Sequence, residues 1–480
     1  MPADAPLQAR TTPRPVSSRL MRLGMVALTA LALTGCARPG AEAPPPTRAA
    51  SAVLVLPPVK VFTPRPPSAP QRSNTDIARD FLDLHFELEG GASLPHFSRF
   101  ESPITLRVTG EPAPGFRREL AALLTRLRNE AGIDIHVLGS ADADTTARIT
   151  IESVSRTQIR RALPKAACFV VPNVSSLAEY RRNRRNPRTR WSLLHQREKL
   201  AVFIPNDVSL QEVRDCLHEE LAQAIGPLND LYRLPDSIFN DDNVHAVLTG
   251  FDMLILRATY APELRTGMTR TEVAARLPAI LARLNPAGAR HATLWLPPTP
   301  RAWIDAVEQA LDPHAPVRTR TRAANDAAAI ARDLGWHDHR RALSHYLLGR
   351  TLHPREPLLA RQHYLTAESF LQGQPGTALH QAKLAVQLAA QDIASGRGEA
   401  ALARLEPASA TAAAHQNAAL LSTLLMLQAE ALELTGRMVE ARRVRLDSLG
   451  WARYGYGADW QVKARLEDIA SLRPLTSRRP

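Results

Sequence analysis

The chain has 480 residues, of which 45% are hydrophobic, enough for two or three domains with sizeable cores. Its formal net charge of +13 favours anionic neighbours. Beyond the first 35 residues no apolar run reaches bilayer-spanning length, which excludes a membrane protein built from spanning helices.

The first segment reads as an export signal. Arg10, Arg14, Arg19 and Arg22 precede a short apolar run, Met25 to Thr34, which ends at Gly35-Cys36. A basic stretch, a run too short to span and a small residue before a cut define residues 1–35 as a signal peptide. Met21 would give a more typical signal length than Met1. Leu33-Thr34-Gly35-Cys36 resembles a bacterial lipobox, which implies that Cys36 is acylated and anchors the mature chain to a membrane. Ala37 follows, with no Asp to suggest retention, so lipoprotein sorting points to the outer membrane, with the chain facing the periplasm. Without residues 1–35 the net charge is about +10. The anionic partners expected in an envelope are lipid headgroups, lipopolysaccharide or wall polymers, and the export signal argues against nucleic acid. Residues 36–72 are rich in Pro and Ala and read as an extended tether.

Residues 73–265 mix strands and helices. Ile104–Val108 alternates like a strand, and Leu120, Leu123, Leu124 and Leu127 form a helical stripe within residues 115–131. Residues 133–138, 147–151, 168–171 and 200–204 are strand-like. Cys168 and Cys216 are the cysteines left after Cys36, and an oxidising periplasm makes them a disulfide candidate that would clamp helix to sheet. Arg181, Arg182, Arg184, Arg185, Arg188 and Arg190 crowd one short segment between Tyr180 and Trp191. That segment reads either as an anion-binding surface or as a solvated loop. Ser209 is a good N-cap for a helix over residues 210–225, which Gly226-Pro227 ends.

Residues 216–240, CLHEELAQAIGPLNDLYRLPDSIFN, hold most of the functional signal. A zinc-protease helix needs H-E-x-x-H, and His218-Glu219 meets Ala222 where the second histidine belongs. One residue on, Glu219, Glu220, Gln223, Gly226 and Asn229 occupy the five fixed positions of H-E-x-x-H-x-x-G-x-x-H. The stretch therefore resembles a metzincin active-site helix that has lost its imidazoles. Glu219, Gln223 and Asn229 stand in the histidine positions, Glu220 in the general-base position, and the turn Gly226 is kept. Phe239, in Ser237-Ile238-Phe239-Asn240, stands where the methionine of the metzincin turn would be, and residues 252–260 resemble the last helix of such a domain. The order of strand, helix, several strands and then this helix is also the metzincin order. The resemblance that residues 216–240 carry implies a place near the cleft for the arginine segment, before strand 200–204. The block is similar to a family of uncharacterised proteobacterial envelope lipoproteins marked by H-E-E-L-x-Q-A-x-G-x-x-N-D and S-I-F-N-D-D.

Three chemistries fit this pattern: a dead site kept for its fold, a polar cleft that binds a peptide or glycan, or a hydrolase with Glu220 as base. Oxygen donors at these spacings would suit a hard cation better than zinc. His218 reads as a surface or capping residue, and His245 as one that a following helix brings near the site. Asp230, Asn240, Asp241, Asp242 and Asn243 fit turn and cap chemistry better than a calcium loop. No phosphate-cradling loop or nucleophile elbow occurs, so no cofactor and no resident metal is expected.

Residues 266–318 read as a connector with one amphipathic helix over 271–284, and residues 319–480 as an all-α, tetratricopeptide-like array. The array rests on the spacing of Leu427, Ala429, Ala431, Gly436 and Ala441, with a weaker copy around Gly396. The fold class expected is α+β, a metzincin-like domain followed by this helical domain. The function expected is a binding or scaffolding module that meets other envelope proteins through the helices. A divergent hydrolase acting on peptide or cell-wall material is the alternative.

Overall fold

The structure is a computed structural model that describes residues 56–63, 68–142 and 145–474. The expected signal peptide, Cys36 and most of the expected tether lie outside the described residues. From residue 55 onward the chain forms one compact unit. Among the described residues, no helix is long and apolar enough to cross a membrane.

The unit opens with α1 (Asn74–Phe86), capped by Ser73, whose hydroxyl accepts the Asp76 amide. A five-stranded sheet follows: β1 (Ile104–Gly110), β2 (Ile135–Val137), β3 (Ile149–Val154), β4 (Phe169–Pro172) and β5 (Leu200–Pro205). The strand order is β2-β1-β3-β5-β4. All neighbours run parallel except β4, which is antiparallel to β5 at one edge. Helix α2 (Phe116–Ala131) joins β1 to β2 and buries the leucine stripe read from the sequence. Short helices α3 (Arg156–Ala162) and α4 (Leu177–Asn183) flank β4, and α5 (Leu210–Ile225) follows β5.

Strand β5 is buried at every position because both faces of the sheet are covered. Leu200, Val202 and Ile204 join the main core with α1, α2 and α5, while Ala201 and Phe203 face a smaller cluster with Ile159, Val171 and Leu177. Helix α6 (Gly250–Thr259) and helix α7 (Arg270–Leu284) complete the main core. Val273, Leu277, Ile280 and Leu281 of α7 are buried there, against α1. The first part of the segment read as a connector, helix α7, thus packs as part of the α/β body, because its apolar stripe has α1 to cover.

The remainder is all-helical. Hairpins form from α8 (Arg301–Leu311) with α9 (Val317–Asp333) and from α10 (His339–Leu352) with α11 (Pro357–Leu371). Two more pair α12 (Ala378–Ala394) with α13 (Gly398–Ala414) and α14 (Ala418–Leu434) with α15 (Met438–Tyr456). Helix α16 (Asp459–Ala470) closes the series. The array therefore begins at α8, ahead of residue 319. Residues 56–63, assigned to the tether, lie along α15. Leu56 is buried there, Phe62 stacks on Trp451 at 4.4 Å, and the Lys60 amide donates to the Gly450 carbonyl at 3.1 Å.

The array also docks on the α/β body. Gln211 of α5 donates to Asn417 at 3.1 Å and accepts the Ala419 amide at 2.8 Å. Asn417 in turn donates to the Val244 carbonyl at 3.3 Å. This ties α5 and the segment between α5 and α6 to the start of α14.

Candidate functional site

Helix α5 carries the motif. Ser209 caps it, accepting the Glu212 amide at 3.2 Å, and Val213, Leu217 and Leu221 enter the core. Gly226 ends it, and a Cβ there would meet Leu256 Cδ2 of α6 at 2.8 Å, so any other residue would have to push that side chain aside. The last carbonyls of α5 are satisfied by Arg197, from the loop before β5. Its guanidinium donates to Gln223 O and Ala224 O at 2.8 Å each and to Gly226 O at 2.5 Å. Ser98 Oγ accepts from Nε at 3.1 Å, and Trp191 lies against the same group at 5.5 Å. Burial pulls its pKa down to about 10, so the charge persists without a carboxylate partner, complementing the negative end of the helix. Cys216 of α5 is bonded to Cys168, next to β4, as expected.

The motif residues divide into two sets. Glu219 and Glu220 gather with Glu89, from the loop after α1, and with Asp230 and Asp241. Among the described residues, none of these five carboxyl groups forms an ion pair with a basic side chain. Glu220 is 5% exposed, and its Oε2 has no hydrogen-bond partner. Asp230 Oδ1 is buried and unpartnered as well. Tyr232 donates its hydroxyl to Asp241 at 3.1 Å. Burial, then Glu89 and Asp241, pushes Glu219 up to about 7. Burial pushes Asp241 up to about 6, against the hydrogen bond from Tyr232. Glu220 and Asp230 are held well above the carboxylate range by burial and then by their acidic neighbours, and Glu89 is raised by burial. Glu219 and Asp241 can therefore give or take a proton near neutral pH.

Gln223 is buried facing Glu89, but Asn229 turns away. Its side-chain amide donates to the Asp83 carbonyl at 3.1 Å and pins the loop to α1. The three positions that correspond to metzincin ligands are therefore not a converging set, and their oxygens do not fit zinc. Among the described residues, no group of three or more His, Cys, Asp or Glu is arranged to hold a metal ion.

The loop 227–249 is built by buried polar contacts. Asp252, fully buried, accepts the Ile238 amide at 3.1 Å and the Thr249 amide at 2.7 Å, and it takes the Ser237 hydroxyl too. Phe239 is buried in the main core, and its carbonyl accepts the Leu231 amide at 2.9 Å. Asn240, Asp242 and Asn243 make turn contacts, as their composition suggested. His218 is buried rather than on the surface. Its Nδ1 accepts the Leu248 amide at 3.1 Å, and burial with Arg126 and Arg214 keeps the ring neutral. His245 lies in the loop, not on a helix, and faces the Pro235 carbonyl at 2.9 Å, away from the acidic group.

Trp191, which closes the arginine segment, packs on the main core beside Arg197, but the start of the segment lies elsewhere. Leu177 and Tyr180 of α4 pack on the sheet face opposite α5, so Arg181 and Arg182 are carried to that far face. All six arginines are exposed, and Arg188 pairs with Glu179 at 2.9 Å. Sequence reading missed Glu89, Arg197 and Tyr232, which belong to no spacing pattern. It also missed Asp252, which the Thr249-x-x-Asp252 capping box could have flagged.

No curated protein and no solved structure matches this chain. Residues 74–279, from α1 into α7, match the family described as Protein of unknown function (DUF2927), and the chain contains a domain of that family.

Proposed function

We propose that this is a lipid-anchored, periplasm-facing protein of the bacterial envelope whose α/β domain is a metzincin-like fold used for binding or scaffolding, not catalysis. The observation that carries this reading is Asn229, whose amide is committed to α1 at the third ligand position. The order of β1, α2, the later strands and α5 supports the metzincin-like likeness. The paired helices support a tetratricopeptide-like array, and exposed Val439, Leu446 and Trp460 on α15 and α16 offer it a partner surface. Protein purified without chelator should carry no stoichiometric zinc and should leave a panel of generic peptides intact. One zinc per chain, lost on Gln223→Ala, would overturn the reading.

A second reading rests on Glu219, pushed up to about 7 beside buried Glu220. That pair suits an acid–base hydrolase of peptide or wall material. It requires turnover of such a substrate that Glu220→Gln abolishes.

Two further expectations follow from the envelope setting. Cys36→Ser should release the chain from the membrane fraction or block its processing, and unchanged attachment would refute the lipid anchor. The exposed arginines should bind anionic lipid. Replacing Arg181, Arg182, Arg184 and Arg185 with Ser should weaken binding to anionic vesicles by roughly tenfold or more and flatten its salt dependence. Equal binding by parent and variant would move the basic surface elsewhere.

A further inference from the structure

The α/β body meets the helical array through histidines. His245 lies in the loop before α6, His339 opens α10, His380 is on α12 and His415 follows α13. The ring centroids of His245 and His415 are 5.5 Å apart, those of His245 and His380 6.4 Å, and those of His339 and His380 5.8 Å. Two rings of the array reach a group on the loop, and His245 bonds within it. His245 Nε2 faces Pro235 O at 2.9 Å, His339 Nε2 faces Tyr232 O at 2.6 Å, and His380 Nε2 faces Asp242 Oδ2 at 2.7 Å. A small cavity of about 40 Å³, lined in part by Asp242, His339, His380 and Lys383, borders the cluster.

We propose that this seam is an acid-released latch, in which His245, His339 and His415 are neutral while the array sits on residues 231–246 and their protonation parts the two. The proposal does not depend on what the acidic site binds. Its basis is a shortage of counter-charge. Asp242 already serves His380 and stands beside Lys383, Asp236 is paired with Arg72, and Asp338 takes the Arg340 fork. Asp241 is turned to Tyr232, and Arg350 adds positive charge near Lys383. Each added proton therefore meets no free carboxylate.

Burial, then a neighbouring histidine, holds His339 and His415 at about 4, and His245 also lies below its ordinary 6.5. Once parted, the rings regain the ordinary value. The closed seam is thus fully favoured above 6.5, and it weakens as pH falls toward 4, by roughly tenfold per pH unit for each histidine. The acidic site responds in the opposite sense. Glu219 at about 7 and Asp241 at about 6 are raised, so their contribution to folding is present in acid and lost as pH rises through those values. Acid should therefore part the seam while the α/β body stays folded.

Hydrogen exchange of the full-length chain at pH 7.5 and 5.5, corrected for intrinsic rates, tests this. Residues 231–246 and the first turns of α10 and α12 should lose protection tenfold or more at the lower pH, while β3 and β5 keep theirs. In the double variant His339→Gln with His415→Gln, the seam should stay closed at pH 5.5, because glutamine can donate without titrating. An equally protected parent seam at both pH values, or a double variant that opens with the parent, would overturn the latch. If the double variant does not fold, His415→Gln alone, at a half-buried position, should still move the opening to lower pH, and an unmoved opening counts against the latch.

Discussion

Replacing Arg197 with methionine should cost the α/β domain about 3–5 kcal/mol, because it strands three buried carbonyls at about 1–3 kcal/mol each, partly relieved by relaxation. The side chain is only 2% exposed, so water cannot take its place without reorganising the site. The carbonyls it serves belong to Gln223, Ala224 and Gly226, the last turn of α5. Methionine fills much of the volume, so the loss would report the hydrogen bonds more than a cavity. Lysine keeps the charge but presents no planar fork, and it should recover less than half of the loss. Urea unfolding measures the effect, and hydrogen exchange should place the first loosening at residues 223–230. A methionine variant within 1 kcal/mol of the parent would mean that α5 does not depend on this cap.

The contrast between Arg197 and Ser209 shows what a sequence can reveal here. Both residues satisfy an end of α5, but Ser209 does so through a local rule, a hydroxyl reaching three residues ahead. Arg197 does so across 26 to 29 residues of chain, where no spacing rule operates. The same divide runs through the fold. The strands were legible as short apolar runs, alternating in β1 and continuous in β5, which both sheet faces bury, and α2 by a stripe with a period of nearly four. The motif on α5 was legible for the same reason, since one helix face fixes the spacing of Glu219, Gln223 and Gly226. Asn229 lies beyond the helix, and its spacing said nothing of its direction; α1 claims its amide. Glu89 joins the acidic group from the loop after α1, remote in sequence from α5, so composition could not announce it. The arginine segment was legible as charge, but the side of the sheet that Arg181 and Arg182 take depends on where Leu177 and Tyr180 pack.

Loss of the Cys168–Cys216 bond should destabilise the α/β domain by about 4 kcal/mol, the loop-closure value for the 48-residue separation it spans. The location should concentrate the damage. Strand β4 is four residues long, lies at the sheet edge and, among the described residues, pairs only with β5. The disulfide beside its first residue adds a second attachment, to α5. Helix α4 follows β4 and rests on the same small cluster, so the exposed arginines are held in place through this strand. Reduction, or Cys168→Ala with Cys216→Ala, should therefore speed exchange in β4 and α4 far more than in β1 or α2. Each single change should cost about as much as the double, since either one removes the bond. Thiol mapping under non-reducing conditions that found both cysteines free would refute the bond. An unchanged urea midpoint after reduction would show instead that β4 is held by its packing alone.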